Sequence, residues 1–165
     1  QGVNVGNRWH ELPDARVHIH DHAVAFNDAH YTMALVRAGH LPEADALQAS
    51  IEEYIKVASP SSRHIYEKVG KPLCASLRAY FDQDYDKAVK LLSPLQDTIH
   101  AIAGSKAQLD IFTQVLIDAC IRSGTEENLT LAKIVLAKRD YVKQAHSGIS
   151  DRLRARIQSA SFYAM

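Results

Sequence analysis

The chain has 165 residues, 47% hydrophobic and 23% charged, and its 19 Lys and Arg balance its 19 Asp and Glu. That apolar share excludes a disordered chain, and no apolar run approaches the roughly 18 residues of a spanning helix. The level charge argues against nucleic acid as a partner, and two cysteines are too few for a disulfide framework, so the expectation is one soluble, cytoplasmic domain that meets no membrane.

Residues 1–21 read as an irregular, histidine-containing lead that opens Gln1-Gly2-Val3-Asn4-Val5 without helical periodicity or an initiator methionine. Its last stretch, Val17 to His22, alternates in a way that suits a short strand or the entry to a helix. Residues 22–165 read as a helical-repeat domain, with hairpins at about 22–58, 62–102 and 106–143 and a closing helix at about 149–162. From Glu43 onward Ala44, Leu47, Ile51, Tyr54, Ile55 and Ala58 make one stripe of helical period. Pro42 suits the first turn of that helix, and Pro60 marks its stop. Asp84 to Ile102 gathers Ala88, Leu92, Leu95, Ile99 and Ile102 on one face, and Pro94 is expected to kink or split the segment. Lys106 to Ser123 is apolar over a wide arc, as in a helix packed on several sides, and Glu126 to Lys143 turns Leu129, Ala132, Val135 and Leu136 inward. The breaks between these segments are short, for example Gly104-Ser105 and Gly124-Thr125, which makes successive helices antiparallel neighbours.

Ala44, Ala88 and Ala132 are spaced 44 residues apart, and in the same register stand Leu41, Tyr85 and Leu129. A small residue is needed where two helices cross closely, and an apolar residue closes the hairpin end. A unit of this kind cannot bury its own face, so its copies stack. The fold class expected is all-α, antiparallel helical hairpins stacked as an α-solenoid.

The stretch Tyr80-Phe81-Asp82-Gln83-Asp84-Tyr85-Asp86-Lys87-Ala88-Val89-Lys90-Leu91-Leu92 resembles the second half of a tetratricopeptide repeat, with a period longer than the usual ~34 residues. Three further segments carry a closer resemblance. They are Phe26-Asn27-Asp28-Ala29-His30 with Met33-Ala34, Gly70-Lys71-Pro72-Leu73-Cys74, and Gly104-Ser105-Lys106-Ala107-Gln108-Leu109-Asp110-Ile111-Phe112. Together they are similar to the C-terminal part of the tetratricopeptide repeat protein 38 family, over roughly His22 to Lys138. Lys106 and Leu109 stand where that family pattern has His and Arg. Members of the family are much longer, which implies that this chain is a fragment, a processed piece or a shortened relative. The family implies a fold here and no particular reaction.

Chemistry-bearing residues concentrate at the start of the chain. In an extended segment His18, His20 and His22 would point to one side and form a candidate site for a divalent ion such as zinc. On a helix His22 and His30 lie about 12 Å apart along the axis, too far to share an ion. The plainer reading of these histidines is packing with one satisfied N–H. A neutral imidazole beside a carboxylate is also the commonest general base, which makes His22, Asp28 and His30 catalytic candidates, with Asp110 brought in from the third hairpin. Gln108 and Asp110 are candidates to line the concave face of the array and bind a ligand. Cys74 and Cys120 read as inert packing, and no cofactor motif is present. The functional expectation is a binding or scaffold module for a protein or peptide partner, with upstream repeats or another subunit as further partners. The alternative is an enzyme, or a metal- or small-molecule-binding protein, built on the His/Asp cluster.

Overall fold

A computed structural model describes residues 6–11, 14–144 and 147–163. Residues 1–5 and 12–13 of the expected lead lie outside that range. Among the described residues every regular element is helical and no strand forms. The principal helices are α1 (Ala25–Arg37), α2 (Leu41–Val57), α3 (Pro60–Ile65), α4 (Lys71–Phe81), α5 (Tyr85–Leu92), α6 (Lys106–Ser123), α7 (Glu126–Lys143) and α8 (Gly148–Tyr163). None is long and apolar enough to cross a membrane.

Side-chain oxygens at the helix starts explain where most of these rods begin. Ser59, Asp84 and Thr125 each accept from the backbone N–H three residues on, and Ser105 with Gln108 forms a reciprocal capping box. Pro42 lies in the first turn of α2. Pro94 ends α5, which passes into a 3-10 turn at Ser93–Leu95.

The turn after α1 and the turn after α4 are bonded alike. Ala38, Gly39 and His40 donate to Ala34, Val36 and Leu35, and 44 residues later Asp82, Gln83 and Asp84 donate to Arg78, Tyr80 and Ala79. In both turns the middle residue is left-handed, Gly39 at φ 80° and Gln83 at φ 66°. The third hairpin departs from this pattern. Its turn is only Gly124-Thr125, so α7 starts 41 residues after α5, where α5 starts 44 after α2. Ala44 and Ala88 are each the fourth residue of their helix, whereas Ala132 is the seventh of α7 and Leu129 takes the fourth place. All three alanines are nevertheless buried.

Packing follows the chain. α1 rests on α2 and α4, α4 on α5, α5 on α6, α6 on α7, and α8 on both α7 and α6. Leu35, Leu47, Ile51, Leu73, Leu77, Leu92, Phe112, Leu116 and Ile117 fill one continuous core between these rods. The last contact buries Leu153 and Ile157 of α8 and adds a polar cluster. Arg139 of α7 grips Asp110 of α6 through two nitrogens, at 2.7 and 2.8 Å, and reaches Ser150 of α8 at 2.8 Å.

Two local distortions shape the surroundings of His22. α3 and α4 form one rod interrupted by a π-helical turn, Tyr66–Gly70, in which Lys71 N–H bonds back five residues to Tyr66. Pro72 explains it: proline has no N–H for the carbonyl four residues earlier and its ring clashes there, so the backbone widens. Gly70 lies against Ala25, where an added Cβ would meet the alanine Cβ at 2.9 Å. The second distortion is in the lead. The segment before α1 is a 3-10 turn, Ala15–His18, not a strand, and it leads into a further turn. Another 3-10 turn at Gly6–Glu11 brings the Trp9 ring to 5.7 Å from the Arg37 guanidinium, so the described lead is folded rather than irregular.

Candidate functional site

The turn at the end of the lead sets His18 apart from the other two early histidines. A strand would have put His18, His20 and His22 on one side, but the 3-10 turn and a left-handed backbone at His22, φ 42°, direct His18 to Asp21 and bring His20 and His22 to the Ser50 hydroxyl. His18 pairs with Asp21 at 2.6 Å and stacks on Tyr31. His20 stays exposed. His22 is turned inward and only 4% of it remains accessible. A left-handed histidine is tolerated but costs of order 1 kcal/mol, and such strain persists where surrounding contacts hold it.

Those contacts are polar. Asp28, on the first turns of α1 and fully buried, lies with Oδ2 3.1 Å from His22 Nδ1 and accepts the Tyr66 hydroxyl at 2.7 Å. The other ring nitrogen, His22 Nε2, is 2.8 Å from the Ser50 hydroxyl on α2. Ser50 Oγ in turn lies 2.7 Å from His20 Nδ1. The rings of Tyr54 and Tyr66 pack around His22, with centroids at 5.0 and 6.1 Å.

The donors in this chain follow from its inner end. A carboxylate only accepts, so Tyr66 O–H and His22 Nδ1–H both donate to Asp28. In that tautomer Nε2 is left to accept from Ser50 O–H, and Ser50 Oγ to accept from His20 Nδ1–H. Burial, and next its bond to Asp28, push the Tyr66 hydroxyl far above the usual tyrosine range, so it stays a donor. Asp28 Oδ1 is buried with no hydrogen-bond partner. The positive end of α1 helps to hold the charge.

The remaining sequence candidates lie elsewhere. His30 donates Nδ1–H to the Phe26 carbonyl at 2.8 Å and packs between Phe26 and Phe112, away from Asp28. Asp110 does not approach the histidines. Burial alone would raise its pKa, but donors from Arg139, Lys143 and Gln114 outweigh that and hold it below the usual carboxylate range. Gln108 is spent on the capping box with Ser105. Gln108 thus lies exposed at the start of α6, and Asp110 is half-buried beneath Arg139 and Lys143. No group of three His, Cys, Asp or Glu among the described residues is placed to hold a metal ion, because Ser50 stands between His20 and His22 and His18 faces Asp21. Cys74 and Cys120 are buried, and burial pushes each thiol up to about 12.

Sequence reasoning missed Ser50, Tyr54 and Tyr66. Tyr54 and Ser50 are one turn apart on α2, and only the fold brings that turn against a residue 28 positions earlier. Pro72 is the one sequence signal that bears on Tyr66, through the π turn that sets its ring.

On another side of the first two hairpins, α2, α4 and α5 leave an open groove of about 600 Å³. Its floor is Ile55, Pro72, Ala75 and Leu91, all half-buried, and its rim carries Glu52, Lys56, Glu67 and Lys71. Lys71 pairs with Glu52 at 2.8 Å, which holds the Glu52 carboxyl below its usual range, and Lys56 pairs with Glu53. Glu67 joins no ion pair among the described residues. No protein-family model matches the chain, and no solved structure matches it.

Proposed function

We propose that the protein is a binding or scaffold module, a tetratricopeptide-like α-solenoid related to the C-terminal part of the tetratricopeptide repeat protein 38 family and working in the cytoplasm. The occupant of its groove is a peptide segment of a partner protein that offers an apolar side chain to the floor and a Lys or Arg to the rim. Support for the solenoid comes from the two equivalent turns 44 residues apart and from packing between chain neighbours. The observation that carries the binding reading is the groove itself: an apolar floor between consecutive hairpins with one unpaired carboxylate, Glu67, on a rim whose bases are already paired. The basic side chain of a bound segment would answer that carboxylate.

Selection of a displayed random-peptide library on the folded protein tests this. Enriched peptides are expected to combine Leu, Ile or Phe with Lys or Arg, to lose binding to Leu91→Glu, and to weaken at least fivefold on Glu67→Lys. Enriched peptides that bind both variants as they bind the parent would overturn the reading.

A further inference from the structure

We propose that Ser50 is an activated nucleophile that cleaves carboxylic esters through an acyl-serine intermediate, an activity separate from peptide binding in the groove. The order of groups is that of a serine, its base and the carboxylate that orients the base: Ser50 Oγ at 2.8 Å from His22 Nε2, and His22 Nδ1 at 3.1 Å from the buried Asp28. Such a constellation is recognised by geometry and roles, not by chain order or fold. The access is right as well. His22 and Asp28 are buried, while Ser50 is partly exposed and its outer neighbour His20 is open to solvent.

Ser50 Oγ attacks the ester carbonyl carbon as its proton passes to His22 Nε2. The bond to the alcohol oxygen breaks, and that oxygen takes the proton from His22. A water molecule then gives a proton to His22 Nε2 and adds its oxygen to the acyl carbon. The acyl–Oγ bond breaks, the proton returns to Ser50, and a carboxylic acid leaves. Asp28 and Tyr66 are positioning residues: Asp28 fixes the Nδ1–H tautomer and faces the imidazolium as it forms, and Tyr66 holds Asp28 in place.

The position of Ser50 also limits the substrate. It lies inside α2, where backbone N–H groups are committed to the helix, so the donor left beside Oγ is His20 Nδ1 at 2.7 Å. A single imidazole gives weaker oxyanion stabilisation than a pair of backbone donors, which favours esters with good leaving groups over amides.

The test treats the folded protein with a fluorophosphonate probe and, separately, with p-nitrophenyl acetate. The expected results are one phosphonyl adduct, mapped to Ser50, and a burst of about one equivalent of p-nitrophenolate. Ser50→Ala should abolish both while keeping the parent's helical circular dichroism, at a lower unfolding midpoint because His22 Nε2 loses its partner. Asp28→Asn should slow labelling at least tenfold, and its circular dichroism checks that it folds. No adduct under conditions that label a serine hydrolase, or an adduct and burst that survive in Ser50→Ala, would overturn the proposal.

Discussion

Replacing Tyr66 with Phe removes one oxygen and leaves the ring in place. That oxygen donates at 2.7 Å to a carboxylate that is fully buried and has one oxygen already without a partner. Hydrogen bonds to charged groups are worth about 1.5–3 kcal/mol, and no stranded donor is left to add to the loss, so Tyr66→Phe should cost about 2 kcal/mol. For a chain of this size each kcal/mol moves the midpoint by about 2–4 °C, which gives a fall of about 4–8 °C in thermal unfolding followed by circular dichroism. Tyr54→Phe is the internal control. Its ring lies against the same histidine, but its hydroxyl makes no hydrogen bond among the described residues, so it should change stability by less than about 0.5 kcal/mol. Equal losses from the two substitutions would refute the reasoning, because Asp28 would then gain nothing from the Tyr66 hydroxyl.

Ala103 stands at φ 74°, ψ −173°, a region that essentially only glycine occupies, so Ala103→Gly should raise stability by about 1 kcal/mol in chemical denaturation; a loss would contradict that strain. The paired turns predict opposite signs. Gly39→Ala should lose about 1 kcal/mol, since the left-handed backbone alone opposes it with no neighbour within 4 Å of the new methyl, while Gln83→Gly should gain about 0.5–1 kcal/mol in the same assay. Asp110→Asn leaves Arg139 buried without its carboxylate and should cost about 3 kcal/mol. Because the folded Asp110 carboxyl is held below its usual range, its contribution is present above about pH 4, the unfolded carboxylate value, and is lost as pH falls through the folded value. The variant should therefore lose less stability than the parent between neutral pH and about pH 3; an identical pH profile would count against the Asp110 ion pair.

Legibility tracked the distance over which each signal acts. The helical period of α2, between Pro42 and Pro60, and the short breaks at Gly104-Ser105 and Gly124-Thr125 are local, and the corresponding helices begin within a residue or two of those signals. The alternation from Val17 to His22 left a strand and a helix entry both open, because six residues satisfy period two by chance, while the 3-10 turn there depends on Asp14 accepting from Arg16 N–H and on the inward turn of His22. The alanine spacing identified three buried contacts but hid a change of helix register, which the shorter Gly124-Thr125 turn introduces. At the site, His22 and Asp28 were visible as residue types six positions apart. Ser50 and Tyr66 were not, since their roles come from where α2 and the π turn pass. Asp110 illustrates the converse: a conspicuous acid near a helix start, whose true partner, Arg139, lies 29 residues on.

The tautomer of His22 tests the buried chain most directly. In long-range proton–nitrogen correlation spectra of the labelled protein, the neutral ring should carry its proton on Nδ1, toward Asp28, and leave Nε2 bare toward Ser50. A proton on Nε2 with a bare Nδ1 would contradict both the hydrogen bond to Asp28 and the acceptor that Ser50 needs.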